Sequence, residues 1–471
     1  MALGLNVAKA LDHGMGTNGI TAAAVTAKHA PTPALWPAGI EPTAEFKTAV
    51  EFVQKRQGDL FITGRAGTGK STLLRTLRDT LGPGVAVLAP TGLAAVQVGG
   101  QTIHSFFRFP PRLIQPEDIK KGKNGAIMRR LDTLIIDEVS MVRSDLMHGI
   151  DLSLRLNRGR SKEPFGGVQM VFFGDLHQLP PVVRDAESAT YLYENFNGPF
   201  FFNASAFRDQ GCELLELDQV FRQSDETFIR VLNAIRDGEV TQDELDILNE
   251  RVRPLSRLRD VGDHVILTMT NEAAHRINAA FLESLPGKGQ DFAAAVSGEY
   301  PDSAFPTDPA LHLKVGAKVI LIRNDPQKRW VNGTLATIQR MHDDRVWIDV
   351  SGEIHELEPV AWESVRYAYD TAKDQVMPNV TGTFRQLPVR LAWALTIHKA
   401  QGLTLDRVHI DLGRGAFAHG QTYVALSRCR SLEGLALGRP LRPADIVFDR
   451  AALGYRDIFT PLGGRARQRL V

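Results

Sequence analysis

The chain is expected to fold as an α/β protein built on parallel sheets, with a small all-β module inserted late in the sequence. Three observations carry this. From Asp59 onward, short apolar runs alternate with apolar stripes at helical spacing. A glycine-rich phosphate-loop consensus falls between the first run and the first stripe. From about 311 to 385 the pattern changes to short strand-like runs and turn pairs. Strands buried on both faces and separated by helices make parallel sheets covered on both sides. Functional groups then belong at the carboxyl ends of the strands.

Residues 1–40 are rich in Ala, Thr and Gly, with Lys9 and Lys28 but no Arg. They fit neither a secretory signal nor a transit peptide and read as a flexible extension. Leu60-Phe61-Ile62-Thr63 is a buried strand, and Leu73, Leu74, Leu77 and Leu81 form the apolar stripe of the next helix. Further buried strands are expected at Val85–Ala89, Leu134–Ile136 and Val168–Phe173. Prolines and Lys120, Lys121 and Lys123 mark a small insertion over about 106–130 of a first domain spanning 41–205. Phe106, Phe107 and Phe109 suit either base stacking or core packing.

A second α/β region is expected over 206–310, its first strand near Leu214. Phe228, Val231, Leu232 and Ile235 mark a helix that Gly238 ends, Val265–Leu267 is a strand, and Asn271 caps the helix carrying Ile277 and Phe281. Within the inserted module, the runs Lys318–Ile322, Leu335–Ile338 and Val346–Val350 are set off by Asn332-Gly333, Asp343-Asp344 and Ser351-Gly352. The α/β region resumes at Val389 and extends over 386–471, ending in a short basic tail.

Composition narrows the class. Hydrophobic residues make up 43% of the 471, ample for packed cores, and a length of this kind suggests about three domains. A net charge of +1 excludes a basic nucleic-acid coat, so any phosphate-binding surface must be a local groove. Cys212 and Cys429 stand alone without metal-ligand spacing, which argues against a disulfide framework or zinc site and for the reducing cytoplasm. No apolar run approaches bilayer length, so no membrane association is expected.

Gly64-Arg65-Ala66-Gly67-Thr68-Gly69-Lys70-Ser71 matches G-x-x-x-x-G-K-S between a strand and a helix, as the chemistry requires. Backbone amides of Gly64, Ala66, Gly67, Thr68, Gly69, Lys70, Ser71 and Thr72 would wrap the phosphates of ATP. Lys70 would neutralise the β- and γ-phosphates, and Ser71 would ligate Mg²⁺. Asp137-Glu138 follows the next strand but one. An isolated pair there is ordinarily a solvated strand end, but downstream of a phosphate loop Asp137 suits the metal and Glu138 the attacking water. In Gly174–Pro181, Gln178 suits sensing the γ-phosphate or positioning water, whereas His177 reads as structural or solvent-facing.

Later blocks add a resemblance. Ala89–Ala95, Thr102–Phe107, Leu217–Gln223, Leu313–Ile320, Val331–Thr334, Ala394–Thr404 and Tyr423–Arg430 occur in one order over about Phe61 to Leu435. Together with the phosphate loop they resemble the petite-integration-frequency helicases and related RecD-like enzymes of superfamily 1, group B. The resemblance implies two RecA-like P-loop domains with an inserted SH3-like module. It also implies a DNA helicase moving five-prime to three-prime. Arg222 and Arg428 would reach the γ-phosphate from the second domain, and Pro90, Thr91, His104, Thr396, His398 and Lys399 would line a single-strand track. Implied substrates are single-stranded DNA and forked or tailed duplexes, with replication or repair proteins as partners of a monomer. The family's adenine-reading Gln has no counterpart in Glu41–Lys47. Two other readings fit less of the sequence. One is a nucleotide switch that does not translocate, which the full catalytic set argues against. The other is a subunit of a nuclease complex, although no nuclease carboxylate cluster is visible.

Overall fold

The computed structural model describes Trp36 and residues 41–462, except 123, 184, 210, 220, 222–224, 255–261 and 371–374. The N-terminal extension apart from Trp36, the basic tail and Arg222 therefore lie outside the described residues. The chain divides into units 1–40 and Glu41–Val471, and among the described residues every helix and strand belongs to the second. Among the described residues no helix is long and apolar enough to cross a membrane.

The first lobe is organised by β1 (Asp59–Gly64), β2 (Val85–Ala89), β3 (Gln101–Thr102), β4 (Thr133–Ile136), β5 (Gln169–Phe173) and β6 (Cys212–Leu217). They pair in parallel in the order β6–β1–β5–β4–β2–β3. Every residue of β1, β4 and β5 is buried, which is why these runs are continuously apolar rather than alternating. Phe106, Phe107 and Phe109 are core residues, at most 7% exposed, so core packing is the outcome for that segment and base stacking is not.

The second lobe begins later than its first expected strand. Cys212–Leu217 pairs residue for residue with β1, from Asp59↔Cys212 to Gly64↔Leu217. Its sequence pattern marks a strand but not which sheet the strand joins. Helix Glu226–Asp237 ends on Gly238 at φ 73°, as its spacing predicts. The helix Asn271–Ser284 is capped by Thr270, one residue before the expected Asn271, through Thr270 Oγ1 accepting from the Ala273 N–H (3.2 Å).

The next strands are β7 (Val265–Thr268), β8 (Gln290–Ala293), β9 (Ala295–Gly298), β10 (Ala310–Leu313), β11 (Lys318–Leu321), β12 (Leu335–His342), β13 (Arg345–Val350) and β14 (Glu353–Leu357). They are followed by β15 (Val360–Asp370), β16 (Gln375–Gln386), β17 (Val389–Leu391), β18 (Ala394–Thr396), β19 (Val408–Asp411), β20 (Leu435–Leu437) and β21 (Phe459–Pro461). The second lobe's sheet is parallel, in the order β18–β7–β19–β20. The inserted module is an antiparallel sheet, β14–β13–β12–β11–β17. Its hairpins turn at Asp343 (φ 51°) and at Ser351-Gly352 (φ 55° and 93°), the turn pairs the sequence displays. Val389–Leu391 completes this sheet against β11, so the α/β lobe resumes at β18 rather than at Val389.

Two segments stitch the lobes together. β21 returns to the first sheet beside β6, carrying Ala452, Tyr455 and Phe459 into the first lobe's core. The β15–β16 hairpin, which pairs with β9 and not with the five-stranded sheet, puts Tyr367 and Val376 into the same core. β3 covers only Leu88 and Ala89 of β2, and the Val87 N–H beyond it donates to the Tyr367 hydroxyl (2.9 Å). Tyr367→Phe leaves that buried N–H without its acceptor, which costs about 1–3 kcal/mol. Denaturant unfolding is expected to show a loss of that size, and an unchanged midpoint would contradict the contact.

Candidate functional site

β1, β4 and β5 are neighbours, so the segments leaving their carboxyl ends converge. After β1 the glycine-rich loop runs into helix Lys70–Thr80, anchored by fully buried Leu73, Leu74 and Leu77. Gly69 sits at φ 85°, and a Cβ there would meet the Phe46 ring at 2.8 Å, so the turn requires glycine. Lys70 Nζ donates to the carbonyls of Gly64 (2.7 Å) and Arg65 (3.0 Å), folding over its own loop. Thr68 Oγ1 donates to Arg65 O (3.0 Å), the Thr72 N–H donates to Gly69 O (3.0 Å), and Ser71 is exposed at the start of the helix.

Asp137 and Glu138 follow β4. Glu138 adopts the left-handed conformation (φ 48°, ψ 44°), which costs a non-glycine residue about 1–3 kcal/mol and turns its carboxylate into the cleft. Burial and the adjacent Glu138 push Asp137 up to about 7, against the pull of Lys70 and Arg75. Burial also raises Glu138, opposed by the charges of Lys70 and Arg428. Past β5, the carboxylate of Asp175 accepts from the Gln178 side-chain amide (3.0 Å) and the His177 N–H (3.2 Å). Burial would raise Asp175, but Arg236, Lys70 and His177 outweigh it and hold the group at about 2.

The second lobe closes over these groups. Gln401, just beyond β18, donates through Nε2 to Glu138 Oε2 (3.2 Å) and Gln178 Oε1 (3.3 Å). Arg428 is 1% exposed and donates to Val424 O (2.9 Å), Ser427 Oγ (2.8 Å) and Leu403 O (3.4 Å). The Ala66 N–H of the phosphate loop donates to the Tyr423 hydroxyl (3.4 Å). His177 is buried, not solvent-facing, and its Nδ1–H donates to Arg236 O (2.7 Å). His419 receives the Asp449 N–H on Nδ1 (2.9 Å) and donates from Nε2 to Leu176 O (2.8 Å). Gly420, at φ 73°, lies so near the loop that a Cβ would stand 2.5 Å from the carbonyl oxygens of His177 and Gln178. Leu179, from the first lobe's loop, packs within the second lobe's core.

The structure thus gathers Lys70, Asp137, Glu138, Gln178 and Arg428 around one cleft, with Arg222 outside the described residues. The candidate track residues divide. Thr91, His398 and Lys399 are exposed, while Pro90 and His104 are half-buried. Thr396 is 4% exposed, and its hydroxyl accepts from the Lys399 N–H (3.3 Å). It shapes the turn that presents His398 and Lys399, and its own side chain is not on the surface. Partial desolvation of its ring lowers His398 although the residue reaches the surface, and burial with the nearby Arg143 charge lowers His104, so both environments disfavour the imidazolium. Gln401, Tyr423 and Arg236 are absent from the residues sequence reasoning singled out. The first two sit inside the later motif blocks, and Arg236, four residues past Leu232, lies on the apolar stripe of its helix, an unusual place for a charge.

A family model described as PIF1-like helicase matches residues 41–246. The ATP-dependent DNA helicase Pif1 of Bdellovibrio bacteriovorus is 33% identical over 437 residues, covering 90% of this chain and 93% of the relative. The ATP-dependent DNA helicase PIF1 of Mus musculus is 33% identical over 413 residues, covering 83% of this chain and 59% of the relative. The chain therefore spans well under two thirds of that mammalian relative's length. Bacteroides sp Pif1 in complex with ADP-AlF4 superposes with a TM-score of 0.82 at 35% identity, over 89% of this chain and 97% of that one. Bacteroides Pif1 bound to single-stranded DNA gives 0.63 at 36% identity, over the same shares.

Gln401→Glu keeps the size of the bridging side chain but sets a carboxylate against Glu138. Nucleotide hydrolysis is expected to fall by about 100-fold or more, with the melting temperature little changed. A variant that hydrolyses at the parent rate would remove Gln401 from the site.

Proposed function

The chain belongs to the PIF1-like helicase family, and from that premise we propose that it is an ATP-driven DNA helicase stepping five-prime to three-prime along single-stranded DNA. One observation carries the proposal: Glu138, the candidate base, is held between Lys70 of its own lobe and Gln401 and Arg428 of the other. Hydrolysis and lobe spacing then act on one carboxylate, the coupling a stepping motor needs.

In this reading the triphosphate draws Lys70 from the carbonyls of Gly64 and Arg65, and the loop amides wrap the phosphate oxygens. Ser71 and Asp137 offer the oxygen donors that suit Mg²⁺, and Asp137, raised by burial and by the adjacent Glu138, would gain from a cation there. The ion, when bound, neutralises charge on the β- and γ-phosphates. Glu138 takes the proton of the attacking water, a role its raised pKa favours, and Gln178 orients that water. Arg428 and, as the family resemblance implies, Arg222 steady the charge that develops on the γ-phosphate.

Single-stranded DNA would pass over Thr91, His104, His398 and Lys399 beyond the carboxyl ends of β2, β3 and β18, held by its backbone rather than read by its bases. The surroundings of the two imidazoles disfavour their charged forms, so Lys399 is the cation of these four, although desolvation and the nearby Arg390 lower it too. Tailed and forked duplexes are the proposed substrates, the cytoplasm the proposed compartment, and replication or repair the setting.

ATP hydrolysis is expected to rise sharply with single-stranded DNA, to drop about 10²–10⁴-fold in Glu138→Gln, and to vanish in Lys70→Ala. Equal rates with and without DNA would refute the coupling, and displacement only from three-prime-tailed duplexes would reverse the polarity. Lys399→Ala is expected to weaken single-strand binding and to flatten the slope of log K against log salt by about 0.7, one phosphate contact. A slope identical to the parent's would take Lys399 out of the track.

A further inference from the structure

Arg236 belongs to helix Glu226–Asp237 of the second lobe, yet it is 3% exposed and faces two carboxylates of the first. Its Nη2 lies 3.6 Å from Asp175 Oδ1 and 3.8 Å from Glu216 Oε1. Both distances exceed a charge-assisted hydrogen bond, and among the described residues neither Nη2 nor Nε has a hydrogen-bond partner. A buried guanidinium with unpartnered donors is costly, and an approach of the lobes by under about 1 Å would convert both ion pairs into hydrogen bonds. The same residue's carbonyl already accepts from His177 Nδ1–H, so side chain and backbone grip one loop from across the seam.

That loop leads to the reacting atoms. Asp175 Oδ2 holds the Gln178 amide, Gln178 Oε1 accepts from Gln401 Nε2, and the same Nε2 reaches Glu138. We propose that Arg236 is a positioning residue for ATP hydrolysis: when the lobes close, its guanidinium clamps Asp175, which fixes Gln178 and, through Gln401, Glu138. In this role Arg236 acts through Asp175 and not on the nucleotide or water itself. It reports lobe closure to the groups that do. This role rests on the helicase reading above.

The test uses the full chain with ATP and single-stranded DNA. Arg236→Lys keeps a charge beside Asp175 but loses the planar fork that can engage two acceptors at once. DNA-stimulated kcat is expected to fall about 10- to 100-fold, with KM for ATP within about twofold of the parent, because geometry and not nucleotide affinity is lost. Asp175→Asn, of nearly the same shape, is expected to lower kcat similarly, and the double variant to be no worse than either single one. Circular dichroism melts confirm that the variants are folded, and if Arg236→Lys does not fold, the kcat and KM of Asp175→Asn alone decide. Parent-like kcat in a folded Arg236→Lys overturns the assignment, as do losses that multiply in the double variant or a change confined to KM. A parent chain that hydrolyses no ATP with DNA overturns the helicase reading itself, whereas a stimulated parent with an unaffected variant overturns only the role of Arg236.

Discussion

The carboxylate of Glu138 is the group on which both lobes act. Its strained backbone aims it into the cleft, burial raises its proton affinity, and the opposing pulls of Lys70 and Arg428 come from opposite sides of the seam. In a low-polarity cleft each of these interactions is stronger than it would be in water. A change in lobe spacing would therefore act directly on this carboxylate. The rest of the architecture keeps this one group between the parallel sheets of the two lobes.

The seam is held by apolar anchors with polar contacts between them. β21 and the β15–β16 hairpin both enter the first lobe's core, the hairpin through Tyr367 and the tail through Tyr455 and Phe459. Leu179 makes the reverse crossing. Between these apolar anchors lie long polar contacts, Tyr423 to Ala66 at 3.4 Å and Arg236 to Asp175 at 3.6 Å, with room to tighten. Packed anchors resist continuous deformation, whereas polar contacts near their limit can switch between two arrangements.

The parallel strands were legible in the sequence because burial on both faces writes itself as uninterrupted apolar runs, and Asp343-Asp344 and Ser351-Gly352 were legible because tight turns need residues that tolerate positive φ. The phosphate loop, Asp137-Glu138 and Gln178 were legible because their chemistry is tied to strand ends. Sheet membership was not: Cys212–Leu217 reads as a strand in either lobe, and only pairing with β1 decides. Thr396 illustrates a second limit, since a polar residue at a strand end can face the strand track or cap a turn, and spacing does not distinguish them. Arg236 escaped because a cation on an apolar stripe has meaning only once the facing carboxylates are in place. The match with the Bacteroides Pif1 structures extends over nearly all of the described chain, so the two-lobed frame is shared with them.

Coupling turns on whether the second lobe's cation reaches the phosphate. Arg428 here directs its donors to Val424, Ser427 and Leu403. A structure of this chain with ADP, a γ-phosphate mimic and single-stranded DNA tests the point most directly. It should show the Arg428 guanidinium released from Leu403 and hydrogen-bonded to the mimic opposite Lys70. An Arg428 still bonded to its own lobe, with the mimic held by first-lobe groups alone, would contradict it.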